Sequence, residues 1–111
     1  MKYEGYLDKR SHGTIARWQK RYWILNGTVL LYQKKENDSS DKQEFDLVSM
    51  TNLQASEQNN RVVQFEYDDL TYLLRANNND DMKKWLMVLT AAQMAVKSEL
   101  SPPRQTDLAE R

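Results

Sequence analysis

A chain of 111 residues with no cysteine is sized for one domain that buries roughly 65% of its unfolded surface; it excludes a disulfide framework and the commonest structural zinc sites, as expected in a reducing cytoplasmic compartment. Its apolar runs, such as residues 22–25, fall far short of the roughly 20 residues that cross a bilayer, so no membrane span is expected. The net charge is zero, but residues 1–35 carry eight basic groups against Glu4 and Asp8, while residues 36–81 carry eleven acids against Lys42, Arg61 and Arg75; a fold that separates these segments is an electric dipole that turns one pole toward an anionic partner.

The first strand is expected over residues 3–9, ending in the polar run RSHGT, whose Gly13 suits a turn. Residues 17–25 and 28–35 are rich in aromatic and β-branched side chains. Between them stands Asn26-Gly27, a pair favoured in two-residue hairpins because both residues tolerate positive φ. ENDSSDKQ, residues 36–43, reads as a polar loop, followed by weaker strand candidates at 44–48 and 53–56. Residues 61–67 and 70–76 predict a second hairpin around Asp68-Asp69, for about seven strands in all.

At Asn77 the period changes. Met82, Trp85, Leu86, Leu89 and Ala92 recur at i, i+3, i+4 and i+7, which predicts a helix with one apolar face running to about Lys97. Asn79 or Asp80 is placed to cap it, and Asp80 and Asp81 lie where the helix dipole favours negative charge. Residues 98–111, with Pro102-Pro103 and little to bury, read as a linker or tail to a domain of residues 1–97. Seven antiparallel strands and one terminal helix predict a mainly-β fold, a bent sandwich or partly open barrel with the helix covering one end.

Side chains alternate across a strand, so Arg17, Gln19, Arg21, Trp23 and Leu25 share one face. Trp23 and Leu25 belong to a core. The cations before them must then emerge at the barrel mouth, because burying a bare charge is too costly. The same parity aligns Leu7 with Lys9 on the first strand and Leu30 with Tyr32 and Lys34 on the third. Lys9, Arg17, Arg21, Tyr32 and Lys34 are therefore expected around one opening.

The segments EGYLDKRS, WQKRYWIL, TVLLYQKK and DDMKKWLMVL, the last with its central Trp85, resemble a pleckstrin homology domain over residues 3–96. The resemblance implies a seven-stranded bent antiparallel sandwich capped by a C-terminal helix. It also implies a non-catalytic module that binds phosphoinositide headgroups or anionic lipid surfaces at its open end and is recruited from the cytoplasm as a peripheral membrane protein. Ligand-binding roles follow for Lys9 at the end of the first strand, for Arg21 ahead of Tyr22-Trp23, for Tyr32 on the third strand and for Lys42 before the fourth. Gln19 stands where the family carries a basic residue; an amide donates hydrogen bonds without charge, so Gln19 is expected to limit affinity and selectivity, with Arg17 or Arg10 supplying part of the missing charge. Arg10, His12, Ile15 and Lys20 are candidates for membrane contact, and Trp18 is expected to pack under a loop in preference to inserting into lipid. The same fold also serves as a protein-interaction module, the alternative reading.

Magnitudes constrain the lipid reading. Five cations near an anionic leaflet contribute about 5 kcal/mol, below the roughly 8 kcal/mol of micromolar binding. Specific charge-assisted hydrogen bonds must supply the rest. An enzyme is not indicated, since the chain has no cysteine nucleophile, no glycine-rich phosphate loop, no metal-ligand spacing and a single histidine. No cofactor and no nucleic-acid partner are expected.

Overall fold

The structure, a computed structural model, describes residues 2–100. Seven strands, β1 (Lys2–Arg10), β2 (Trp18–Asn26), β3 (Val29–Gln33), β4 (Gln43–Asp46), β5 (Thr51–Ala55), β6 (Val62–Tyr67) and β7 (Leu70–Arg75), precede one helix, α1 (Asn79–Leu100). They form one antiparallel sheet in the order β4-β3-β2-β1-β7-β6-β5. β4 and β5 are its edges, so the barrel stays open. β1 pairs with β2 along its whole length but meets β7 only at Asp8–Arg75 and Lys9–Leu74. The two halves of the sheet are thus joined near Lys9 and part toward the start of β1.

The helix occupies that parting. Trp85 packs edge-on against Tyr3 at 4.7 Å between ring centroids, which places α1 at the beginning of β1. Six residues further along an extended strand, at about 3.3 Å each, Lys9 lies at the opposite end. Met82, Trp85, Leu89 and Ala92 are buried as their spacing predicts, Val96 extends the stripe, and Leu86 is only partly buried. Gln93 anchors the helix further: its Nε2 donates to the carbonyls of Met50 and Leu47 at 2.6 and 3.0 Å.

Trp23, Leu25, Leu30, Phe45, Phe65 and Leu74 are fully buried, as strand parity requires. The Trp23 indole N–H is a buried donor with no hydrogen-bond partner among the described residues. Tyr22, on the outer face of β2, is also buried. Tyr6 covers it at 4.9 Å between ring centroids, and the Tyr22 hydroxyl donates to Glu4 Oε1 at 2.6 Å.

Three local expectations are corrected. The β2–β3 turn is Gly27-Thr28 instead of Asn26-Gly27. Asn26 pairs with Val29, and only Gly27 takes positive φ, +64°, as a turn with glycine at its first central position demands. The expected strand at 44–48 is cut short because Asp46 Oδ1 accepts the Val48 amide at 3.2 Å and starts a 3-10 turn, Leu47–Ser49. The helix is capped by Asn78, whose Oδ1 accepts the Asp81 amide at 2.8 Å, one residue before the predicted caps. Asp68-Asp69 does form the β6–β7 turn, with φ of 50° and 65°. Of the tail expected from residue 98, the first three residues continue α1, and those from 101 onward lie outside the described residues.

Candidate functional site

At the end of the barrel away from α1, the β1–β2 register sets Lys9 opposite Gln19 and Leu7 opposite Arg21. Lys9 Nζ donates to Gln19 Oε1 at 3.0 Å and lies 5.2 Å from the centre of the Tyr32 ring. Burial first, and the Arg21 charge second, hold the Lys9 ammonium below the ordinary lysine pKa, while Asp41 opposes them. The two cations therefore share one mouth, and neither points away from it.

Arg21 is committed on both edges of its guanidinium. Nε and Nη2 donate to Asp41 Oδ2 at 2.9 and 2.7 Å, and Nη1 donates to the Lys20 carbonyl at 2.8 Å. The floor beneath is a chain of polar contacts: Tyr32 Oη donates to Gln43 Oε1 at 3.0 Å, and Gln43 Nε2 donates to Tyr72 Oη at 3.2 Å. Burial, then the Asp41 and Tyr72 charges, raises the Tyr32 pKa, so Tyr32 stays a neutral donor. His12 folds over this floor, edge-on to Tyr72 at 4.7 Å, with Nε2 donating to the Thr71 carbonyl at 2.8 Å.

Lys9, Gln19, Arg21 and Tyr32 thus come together. The side chains of the other candidates make no hydrogen bond or ring contact with these four among the described residues. Arg17 is exposed; its backbone is tied to Ser11, and its side chain makes no hydrogen bond or ion pair among the described residues. β3 ends at Gln33, so the alternation that aligned Lys34 with Tyr32 does not reach it. Lys34 instead lines an outer hollow of about 520 Å³ with Tyr6, Lys20, Lys35 and Arg21, the residue this hollow shares with the mouth. Lys20 lies over the Tyr6 ring at 5.3 Å. Lys42 is exposed and pairs with Glu44 at 3.5 Å. The guanidiniums of Arg10 and Arg75, the last residues of β1 and β7, both lie over Trp18, at 5.2 and 4.4 Å, so Trp18 packs against strand residues instead of under the expected loop. Ile15 is 72% exposed in the first loop.

Asp41, Gln43 and Tyr72 belong to the mouth and were missed. Gln43 and Tyr72 carry no charge to mark them, and their contacts join strands 29 residues apart in sequence. Asp41 lies in a polar loop with two other acids, Glu36 and Asp38, and its left-handed backbone, φ 55°, sets it apart from them.

The family model described as PH domain matches residues 1–94. The chain belongs to the PH domain family. It is 30% identical over 91 residues to the RAC family serine/threonine-protein kinase homolog of Dictyostelium discoideum, covering 80% of this chain and 20% of that protein. It is 27% identical over 93 residues to ventricular zone-expressed PH domain-containing protein homolog 1 of Rattus norvegicus, covering 78% and 11%. The chain therefore spans a fifth or less of the curated relatives it matches. Among solved structures, the PH domain of human oxysterol-binding protein-related protein 11 superposes with a TM-score of 0.77 at 18% identity, covering 98% of this chain and 93% of that one. The C-terminal PH domain of pleckstrin, solved in complex with D-myo-Ins(1,2,3,4,5)P5, gives 0.67 at 20% identity, covering 81% and 95%. These likenesses establish the fold: seven antiparallel strands in one unclosed sheet with a C-terminal helix. PH domains are generally non-catalytic modules that bind phosphoinositides or proteins.

Proposed function

We propose that this PH domain is a membrane-targeting module that recognises phosphoinositide headgroups at the open end of its barrel. The observation that carries the reading is the convergence of the Lys9 ammonium and the Arg21 guanidinium on one mouth floored by the neutral donor Tyr32. Phosphate oxygens accept from all three types of group, and charge-assisted bonds of this kind are worth about 1.5–3 kcal/mol each. Gln19 adds an amide in place of a charge, which limits affinity and isomer selectivity. Arg17, Lys34 and Lys42, together with Arg10, His12, Ile15 and Lys20 around the mouth, then meet the anionic surface of the bilayer at longer range. The domain is recruited from the cytoplasm as a peripheral protein. The pleckstrin domain solved with an inositol polyphosphate gives the same chemistry a precedent on this fold.

Binding to vesicles carrying each phosphoinositide, at physiological and raised salt, tests the reading. Preference for one headgroup that survives salt supports a pocket, whereas equal, salt-sensitive binding to all acidic vesicles reduces it to a surface effect. The outer hollow, where exposed Tyr6 lies beside Lys20, Lys34 and Lys35, favours a second reading: an adaptor that binds an acidic peptide. Absence of vesicle binding together with peptide capture supports that one.

A further inference from the structure

The guanidinium on which phosphate recognition depends is already occupied by a side chain of the domain. Arg21 has two edges to offer. The Nε–Nη2 edge is closed by Asp41 Oδ2 at 2.9 and 2.7 Å, and Nη1 is spent on the Lys20 carbonyl at 2.8 Å. A phosphate reaching Arg21 in the bidentate manner that makes guanidinium recognition strong meets Asp41 at Nη2, which belongs to both edges. The carboxylate is also well placed to leave, because its side chain is 53% exposed whereas that of Arg21 is 18% exposed.

The loop between β3 and β4 fixes this arrangement. Lys35 and Asp38 exchange backbone hydrogen bonds at 3.0 and 3.3 Å, Lys34 N donates to the Ser40 carbonyl at 3.0 Å, and the Ser40 amide and hydroxyl both donate to Asp38 Oδ1, at 3.0 and 2.6 Å. The chain is thereby brought back beside Lys34 just before Asp41. Asp41 takes a left-handed conformation, φ 55°, that most residues avoid. The field of its carboxylate reaches past Arg21 to Lys9 and Tyr32, both of which titrate under its influence.

We propose that Asp41 is a built-in competitor for the phosphate site: its carboxylate holds the Arg21 fork, must swing out before a headgroup can bind there, and so sets both the affinity and the number of phosphates a headgroup needs. This rests on the phosphoinositide reading and adds a selectivity rule to it. Exchanging Asp41 for a single phosphate replaces one set of charge-assisted bonds with another and gains little. A headgroup with neighbouring phosphates can displace Asp41 with one and engage Lys9 with the other. The latch therefore takes the same factor from every headgroup that uses Arg21, and one with a second phosphate for Lys9 keeps net affinity all the same.

The test compares the wild-type chain with Asp41→Asn and Asp41→Gly. Both replacements suit a left-handed backbone, which alanine does not, and they remove the charge with and without the side chain. The probes are phosphatidylcholine vesicles carrying a mono-, bis- or trisphosphorylated phosphatidylinositol, and the free inositol phosphates. Both variants are expected to bind about three- to tenfold more tightly, by a similar factor on each lipid that engages Arg21, while melting at a lower temperature. Loss of melting temperature with gain of affinity is the signature, since an Asp41 that merely positions Arg21 would lose both. If the wild type binds and neither variant binds more tightly, the competitor role falls and the phosphoinositide reading stands. Binding by the variants alone supports both. Should no protein bind any probe, the phosphoinositide reading fails and takes the latch with it.

Discussion

Lys9 Nζ donates a 3.0 Å hydrogen bond to Gln19 Oε1, directly across the β1–β2 ladder. The amide thus serves as a neutral acceptor for a half-buried ammonium, at a position where a second cation would repel Lys9. Gln19→Arg exchanges that contact for charge. Like charges opposite each other on neighbouring strands cost roughly 0.2–1 kcal/mol, whereas one further charge-assisted bond to phosphate is worth about 1.5–3 kcal/mol. The expected outcome is a slightly less stable domain that binds phosphoinositide vesicles about tenfold more tightly. Vesicle sedimentation with a parallel thermal melt checks it. If affinity does not rise, Gln19 is not what limits binding.

Arg21→Ala separates function from stability. The Arg21–Asp41 pair, 18% and 53% exposed on its two sides, belongs with partly exposed ion pairs, worth about 1 kcal/mol or less. In a domain of this size that corresponds to a melting shift of roughly 4–8 °C at most. Binding to phosphoinositide vesicles is expected to fall by more than about tenfold, because the strongest phosphate donor is gone and Asp41 is left unpaired at the mouth. A much larger melting shift makes Arg21 a structural residue.

Strand parity carried most of this molecule. It put Leu7, Trp23, Leu25 and Leu30 in the core and Lys9, Gln19, Arg21 and Tyr32 at one opening, because alternation survives wherever a strand continues. It failed for Lys34 and Arg17 because β3 ends at Gln33 and β2 begins at Trp18, and beyond those residues the backbone no longer fixes which face a side chain takes. The β2–β3 turn slipped by one residue because both Asn26-Gly27 and Gly27-Thr28 contain the glycine that positive φ requires. Asp41 was illegible for a different reason. Its partner is 20 positions away in sequence, and nothing local distinguishes a loop acid that reaches across a mouth from one that faces solvent.

Tyr22 links stability to pH at both ends of the scale. Its hydroxyl donates to Glu4 Oε1 at 2.6 Å, and that bond is the main cause that raises the phenol to about 12 and lowers the Glu4 carboxyl below its ordinary value. An unfolded tyrosine titrates at about 10, so between there and the folded value the unfolded state binds fewer protons and stability falls as pH rises. For Glu4 the sign is reversed: its contribution is present above the ordinary carboxyl value and is lost as pH falls through the depressed folded one. Thermal melts of wild type and Tyr22→Phe across pH are expected to differ most around neutrality and to converge at both extremes. A difference that stays constant across pH means the 2.6 Å contact contributes nothing to folding.

Gln93 supports the end of the barrel opposite the mouth. Its Nε2 donates to the Met50 carbonyl at 2.6 Å and to the Leu47 carbonyl at 3.0 Å, and the latter also accepts the Met50 amide at 3.3 Å. Removing the donor therefore strands chiefly the Met50 carbonyl beneath the helix. An unsatisfied group of this kind costs about 1–3 kcal/mol, so Gln93→Leu is expected to destabilise the domain by about 2 kcal/mol. Gln93→Glu is expected to be at least as damaging at neutral pH, because it sets an ionised acceptor against two carbonyls with almost no change of shape. Met94, 66% exposed on the same helix, supplies the control: Met94→Ala is expected to stay within about 0.5 kcal/mol. Denaturant titration measures all three. Vesicle binding by the folded Gln93 variants is expected to match wild type, since the mouth lies at the far end of β1. If Gln93→Leu is as stable as the Met94 control, the helix is held by its apolar stripe alone.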